Sequence, residues 1–366
     1  MNTLENSRNA SFADSRAHIG FGNYSAESAL EPVLSVVIPT FNEEDYIESC
    51  LDSVLEGLKN INAEVLVIDG MSTDGTAPIV RRYEQNNYNL KVLKNKKRYQ
   101  VHALNMGIGV ARGRYIVRCD AHSIYPVAYF ATLLAFYERD KEAIYGNVGL
   151  RYVTETYTRT ALQGGIPLAM SSRIGVGVSH RASGVVTRTR EVDTLLFGAW
   201  RRQIFHDVGM FDPTFIRGQD YEHNLRVITK GLKVALIPGP SFTYFTRSSF
   251  RKLRRMIYQY AYVKGQVFRK HGKVPNIRSQ IPVLFFLFMF TLLAVWPIAS
   301  LYLAALYSTT IGVIALTRCR SHGPMAALGM FLAVPLMHVS HAAGFIHGLL
   351  RGSRHQGFIK SAGSTR

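Results

Sequence analysis

At 366 residues and 47% hydrophobic content the chain is long enough for one large α/β domain plus an appendage, and its net charge of +18 is unevenly spread. Residues 1–222 hold 24 Lys or Arg against 25 acids, whereas residues 223–366 hold 19 Lys or Arg and no Asp or Glu. No RNP-like, zinc-finger or helix-turn-helix pattern accompanies that basicity, which sets nucleic acid aside as a partner and points to an anionic membrane surface.

The polar stretch 1–32 has no apolar core of a signal peptide and reads as a disordered tail. "LSVVIPT" (34–40) is an apolar run of the kind that forms a buried parallel strand. Behind it, Ile47, Cys50, Leu51, Val54, Leu55 and Leu58 recur at helical spacing, with Asn42 as the expected cap and acids crowding the first turn. "AEVLVIDG" (63–70) and "LKVLKN" (90–95) read as further strands separated by the helix "TAPIVRRYEQ". "YQVHALNMGIGVARG" (99–113) reads as a helix closed by Gly113, and "RYIVRCD" (114–120) as a fourth strand. Its Gly-x-Gly-x-x-x-Gly lies inside a helical pattern rather than at a strand–helix turn, which argues against a dinucleotide site. Alternation of this kind predicts an α/β fold with a mostly parallel sheet flanked by helices, and ligands in such sheets gather at the carboxyl ends of the strands. Thr40, Asp69 and Asp120 all lie just past those ends.

After a helix near 126–139 and a strand near 143–149, residues 151–192 are rich in Gly and Ser and read as a mobile lobe beside the site. "DTLLFGAW" resumes strand character, "FDPTFIRGQDYEHNLRVITKG" ends in a helix stopped by Gly231, and "LKVALIP" is a late strand. Cys50 and Cys119 read as small buried hydrophobes, and three cysteines without motif spacing form no disulfide framework.

Within residues 248–278, the stretch 249–272 places seven basic residues among apolar ones at helical spacing, as a helix lying in the headgroup plane does; a helix packed on the sheet gives the same pattern. Residues 281–317 contain no charge, a run of 37 that is too long for one crossing and suits two with a break near Pro297. Residues 324–350 are also uncharged, so 279–350 reads as transmembrane. Three crossings would put the basic tail 351–366, expected in the cytosol, opposite the catalytic part; two with a re-entrant or interfacial piece, or four short ones, would not. His338 and His341 share a helix face and suit helix-to-helix hydrogen bonds.

"VVIPTFNEEDYIESCLDSV", "VLVIDGMSTDGT", "ALNMGIGVARGRYIVRCDAHS" and "FGAWRRQIFHDVGMFDPTFIRGQDYEHNLRV", in this order, resemble family 2 glycosyltransferases, most of all the glucosyltransferases of bacterial succinoglycan and exopolysaccharide assembly. The resemblance implies a GT-A fold over residues 33–247, a nucleotide-diphosphate sugar donor and a divalent cation. By it, Pro39, Thr40, Phe41, Asn42 and Glu43 match the first nucleotide-contacting loop, Asp69 the carboxylate that reads the base, Asp120 the first member of the Asp-x-Asp metal motif, and Asp220 the catalytic base. Two departures stand out: His122 replaces the second metal-motif Asp, and the Gln-x-x-Arg-Trp element of processive synthases is missing.

Chemistry sharpens these expectations. A hard cation on Asp120 would neutralise the leaving diphosphate; His122 is either a second ligand, which tilts Mn²⁺ over Mg²⁺, or a hydrogen-bond donor to the diphosphate. Asp220 and Glu222 are two positions apart and point to different helix faces, so one serves as base; Asp220 is the choice, with Glu222 pairing to Arg226 at the surface. Asp74 reads as a loop-holding residue. The expected function is transfer of one hexose, glucose first, from a UDP-sugar to a polyprenyl-diphosphate-linked oligosaccharide, with inversion. It would take place at the cytosolic face of a bacterial inner membrane, among membrane lipid and other exopolysaccharide assembly proteins. The alternatives are a processive polysaccharide synthase and a non-catalytic sugar-nucleotide or lipid-binding assembly subunit.

Overall fold

A computed structural model describes residues 31–157, 160–176, 186–195, 197–247, 249–273 and 280–351; most of the polar tail before Pro32 and the basic tail after Arg351 lie outside the described residues. Strands β1 (Leu34–Thr40), β2 (Ala63–Asp69), β3 (Leu90–Lys94) and β4 (Tyr115–Arg118) pair in parallel in the order β3-β2-β1-β4. Every residue of β1, β2 and β4 is buried, because helices cover both faces and a two-residue repeat then leaves no wet side. Val36 and Ile38 face Ile47, Leu51 and Val54 of α1 (Ile47–Leu58) and Tyr129 and Phe130 of α4 (Tyr129–Arg139). Val37, Leu66 and Ile68 face the other way, toward Val101, Leu104 and Ile108 of α3 (Gln100–Val110). The crossover α2 (Thr76–Asn86) completes the set.

Beyond β4 the sheet turns mixed. Strand β9 (Ala199–Arg201) runs antiparallel between β4 and β6 (Tyr145–Gly149), followed by β10 (Lys233–Leu236) and β8 (Arg190–Glu191), eight strands in all. A second sheet joins β5 (Ser123–Ile124), β11 (Phe242–Arg247) and β7 (Tyr152–Tyr157).

Several local expectations are corrected. Asn42 does not cap α1, which starts five residues later; its backbone is left-handed (φ 54°) and its side chain accepts from the Thr73 N–H at 2.8 Å. Only Glu48 lies in the first turn of α1. Gly113 does not close α3 with a left-handed residue: a Cβ there would sit 2.5 Å from Ser35 N, so the glycine permits close approach to β1. Among its described residues, "DTLLFGAW" supplies only the start of the short β9. The Gly-rich stretch is also more ordered than its composition suggests. A 3-10 turn (Leu162–Gly164), α5 (Gly165–Ser171) and α6 (Arg173–Val176) pack against the last helix of the chain, α12 (Pro324–Arg351), and 177–185 lies outside the described residues. Gly165 makes this possible, since a Cβ there would meet Met330 N at 2.1 Å.

The remaining helices before α12 are, in chain order, α7 (Gln203–Asp207), α8 (Gln219–Thr229), α9 (Phe250–His271), α10 (Ile281–Val295) and α11 (Pro297–His322). The break near Pro297 is present, and α11 over Pro297–Arg318 and α12 are each long and apolar enough to cross a membrane. With 15 residues α10 spans about 22 Å, short of a hydrocarbon core of ~30 Å. Exposed Leu284, Phe288, Phe290, Leu301, Leu306 and Leu316 give α10 and α11 an apolar outer face. His338 donates through Nε2 to Ile174 O (2.8 Å), which leaves Nδ1 to accept from the Tyr307 hydroxyl of α11 (2.8 Å), the helix-to-helix role expected of it.

The amphipathic α9 is packed on two sides. Val263 and Val267 join Phe215, Tyr221 and Leu225 of the α8 region, while Ala261 contacts the α12 residues Ala342 and Phe345. Cβ atoms at Gly344 and Gly348 would lie 2.3 and 2.0 Å from the carbonyl oxygens of Tyr258 and Tyr262, so the two helices touch backbone to backbone. What α9 leaves exposed in its first turn is Arg251, Lys252 and Arg254. Its far end grips α8: Lys270 Nζ meets Asp212 (2.5 Å) and Glu222 (3.1 Å), and His271 Nε2 meets Glu222 (3.0 Å). Glu222 also pairs with Arg226 as expected, yet it is fully buried rather than at the surface. Burial alone would raise the carboxyls of Glu222 and Asp212; Arg226 and Lys270 hold Glu222 below its usual range, and Lys270 with Thr214 holds Asp212 below its own.

Two outcomes follow. Gly348→Val should force α9 and α12 apart at a cost of about 1–3 kcal/mol, read as a lower melting temperature in detergent. Glu222→Gln should cost about 1–3 kcal/mol, because cations that face it lose their partner. Since the folded-state carboxyls lie low, their contribution is complete above the ordinary carboxylate range and is lost as pH falls from there through the lowered folded values, so the wild-type advantage over Glu222→Gln should shrink in acid.

Candidate active site at the strand ends

The parallel register sets Thr40 beside Asp69 at the ends of β1 and β2, and the Gly70 N–H donates to Thr40 O at 2.8 Å. The loops that follow are laced together. Asn42 N–H donates to Ser72 Oγ (3.0 Å), Glu43 N–H to Thr76 Oγ1 (2.7 Å) and Gly75 N–H to Glu44 Oε2 (2.6 Å). Asp74 accepts from the N–H groups of Thr76 (3.0 Å) and Glu44 (3.3 Å), the loop-holding part expected of it. Buried Asp69 accepts from the Ser72 hydroxyl (2.5 Å) and N–H (3.2 Å), which fixes the carboxylate at the strand end. Pro39 and Thr40 thus end β1 beside Asp69 at the end of β2, Phe41 packs against Gly70, and Glu43 belongs to the braced loop that follows.

Past β4 the chain turns sharply. The Asp120 N–H donates to the Tyr125 hydroxyl (2.8 Å), and Tyr125 N–H donates to Ser53 Oγ (3.1 Å), anchoring the turn on α1. This turn carries His122 back over the first loop, where Nδ1 lies 3.2 Å from Oε1 of buried Glu43. Sequence reasoning placed Glu43 and His122 in the site separately; the structure joins them.

The residue it missed is Arg118. Its guanidinium donates through Nε (3.0 Å) and Nη2 (3.3 Å) to Asp120, and its Nη1 lies 2.6 Å from both oxygens of Asp220. A second route joins the same elements: Gln219 donates to Gln100 Oε1 (2.8 Å), and Gln100 donates to Asp120 Oδ1 (3.4 Å). Asp120 and Asp220, 100 residues apart, are therefore neighbours across one arginine. Burial pushes the Asp220 carboxyl up to about 6, with Arg118 opposing. Burial works against the Arg118 charge, but the two carboxylates more than offset it and keep the guanidinium protonated. An Arg ending an apolar strand two residues before the key acid was the only signal in the sequence. Glu222 points to the other side of α8, so the two acids separate as the helical spacing requires.

Among the described residues no three His, Cys, Asp or Glu side chains converge as a complete metal cage. Asp120 and His122 offer one carboxylate and one imidazole, which fits a hard cation that keeps water and phosphate among its ligands. The Glu43 contact is the carboxylate–imidazole pairing that metal-ligating histidines commonly show. Cavity size does not mark the place: a groove of about 710 Å³ beside α4 and β6, lined by Phe136, Arg139, Ile144 and Tyr145 among others, contains none of Asp69, Asp120 and Asp220.

Known proteins resemble this chain in sequence and in fold. The model for Glycosyl transferase family 2 matches residues 35–196. A Methanococcus voltae protein named dolichyl N-acetyl-alpha-D-glucosaminyl phosphate 3-beta-D-2,3-diacetamido-2,3-dideoxy-beta-D-glucuronosyltransferase is 28% identical over 87% of this chain and 98% of its own. Succinoglycan biosynthesis protein ExoA of Rhizobium meliloti is 29% identical over 86% of this chain and 94% of its own. The mannosyltransferase PcManGT of Pyrobaculum calidifontis, solved with GDP-Man and Mn²⁺, shares the fold at 21% identity, with a TM-score of 0.54 over 93% of both chains. The chain carries a family 2 glycosyltransferase domain of GT-A fold, and it is a glycosyltransferase.

Proposed function

We propose that the protein is a membrane-bound inverting glycosyltransferase that moves one hexose from a UDP-sugar, UDP-glucose first, to a polyprenyl-diphosphate-linked oligosaccharide during exopolysaccharide biosynthesis. The observation that carries the reading is the juxtaposition of Asp120 and Asp220 across Arg118, at the end of the sheet where Asp69 also lies. The relatives support the acceptor class: one is named for succinoglycan biosynthesis and the other for a dolichyl phosphate sugar. The apolar faces of α10 and α11 and the basic first turn of α9 support a site held at a bilayer, the cytosolic face of a bacterial inner membrane.

In this reading Pro39, Thr40, Phe41 and Glu43 border the nucleotide and Asp69 takes its base. Asp120 and His122 would hold a divalent cation, Mn²⁺ or Mg²⁺, and when bound it would supply neutralising charge to the diphosphate. Asp220 accepts the proton of the acceptor hydroxyl as its oxygen bonds to the anomeric carbon. The bond from that carbon to the diphosphate oxygen breaks, and UDP leaves with the electron pair. One base facing one leaving group gives a single displacement and an inverted centre.

The test is turnover of a panel of UDP-sugars, with GDP-mannose as a control, against a polyprenyl-diphosphate acceptor. Asp220→Asn should lower acceptor-dependent UDP release by about 10²–10⁴-fold, the range of a lost general base. Because burial holds Asp220 protonated below about 6, wild-type kcat/KM should climb with pH through that value and level off above it. Retained turnover in Asp220→Asn, or a flat profile across that range, would remove Asp220 from the role. A single added sugar is expected; a ladder of products would indicate a processive synthase.

A further inference from the structure

Arg118 closes β4, and its side chain is only 4% exposed. The guanidinium lies over the Phe197 ring, 5.2 Å from its centroid, so one flat side is covered by an apolar surface. All three nitrogens are turned on two carboxylates: Nε and Nη2 on Asp120, Nη1 on Asp220. A neutral bridge through Gln100 and Gln219 runs alongside, tying Asp120 to the residue before Asp220. The end of β4 and the first turn of α8 are thus joined twice, once by charge and once by amides.

Two carboxylates this close in a buried site repel each other unless a cation lies between them. A planar fork can serve both in fixed directions; the ammonium of a lysine is a point charge that cannot. We infer that Arg118 is a positioning residue for the transfer reaction, holding the carboxylate that takes the acceptor's proton in register with the carboxylate that faces the donor's cation. The inference rests on the roles given to Asp120 and Asp220 above. It has a consequence that a merely structural arginine lacks. A fixed positive charge against Asp120 opposes a second cation there, so Arg118 supports turnover while weakening metal affinity.

The experiment titrates Mn²⁺ into the full-length protein in detergent without donor, following loss of the free-ion EPR signal. It is paired with kcat, donor KM and melting temperature for wild type, Arg118→Gln, Arg118→Lys, Asp120→Asn and Asp220→Asn. Arg118→Gln should bind Mn²⁺ about tenfold more tightly, as expected when a unit charge at contact distance is removed. Its kcat should fall about 10²-fold, the scale of a misplaced reacting group. Arg118→Lys keeps the charge and guards against a failure to fold: its Mn²⁺ affinity and donor KM should stay near wild type while kcat falls about 10²-fold. Wild-type kcat in Arg118→Lys, or folded Arg118→Gln that binds Mn²⁺ no more tightly, overturns the inference alone. Wild-type Mn²⁺ affinity in Asp120→Asn, or wild-type turnover in Asp220→Asn, overturns the underlying reading and this inference with it.

Discussion

The guanidinium of Arg118, shut away from water between Asp120 and Asp220, is the contact on which the rest of the site depends. A buried charge costs several kcal/mol unless its partners and hydrogen bonds are supplied by the fold, so these three residues must arrive together or not at all. That requirement reaches outward. The first turn of α8 has to lie against the end of β4, and Gly218 makes room for it: with φ 67° it occupies the cap position, and a Cβ there would sit 2.5 Å from Val263 of α9. Behind this turn Asn147 of β6 donates to Asn224 (2.8 Å), and Asn224 donates to Thr194 (3.2 Å), fixing α8 on the sheet.

The same helix connects chemistry to the membrane end. One side of α8 carries Asp220 to the sheet, and the other buries Glu222 against Lys270 and His271 of α9. Helix α9 in turn lies backbone to backbone on α12 at Gly344 and Gly348. A continuous series of packed elements therefore runs from the acid pair to the apolar helices, with the Gly-rich turn and α5 bracing α12 from another side. For an enzyme whose acceptor is proposed to lie in a bilayer, such rigid continuity fixes the site relative to that surface.

Much of this was legible in the sequence because it is periodic or local. Apolar runs marked β1, β2, β3 and β4; their ends located Thr40, Asp69 and Asp120; the two-residue offset separated Asp220 from Glu222. What stayed hidden depends on tertiary partners. Asn42 looks like a cap until Ser72 and Thr73 are seen beside it. Gly113 looks like a helix stop until β1 passes within contact distance. The Gly-rich stretch looks mobile because its glycines are read as freedom, whereas Gly165 is there for close packing against Gly329 and Met330 of α12. Arg118 stayed hidden for the same reason: its place two residues before Asp120 is its one local mark, and its meaning lies in an acid 102 positions away.

The central claim is that Asp120 and Asp220 serve one donor-and-acceptor site built over Arg118. A crystal or cryo-EM structure with UDP and Mn²⁺, the metal located by its anomalous signal or density, tests it most directly. The account predicts manganese against Asp120, with UDP between it and the β1 loop and Asp220 facing the open side of the diphosphate. Manganese bound away from Asp120, or Asp220 turned from the nucleotide with Arg118 on other partners, would contradict it.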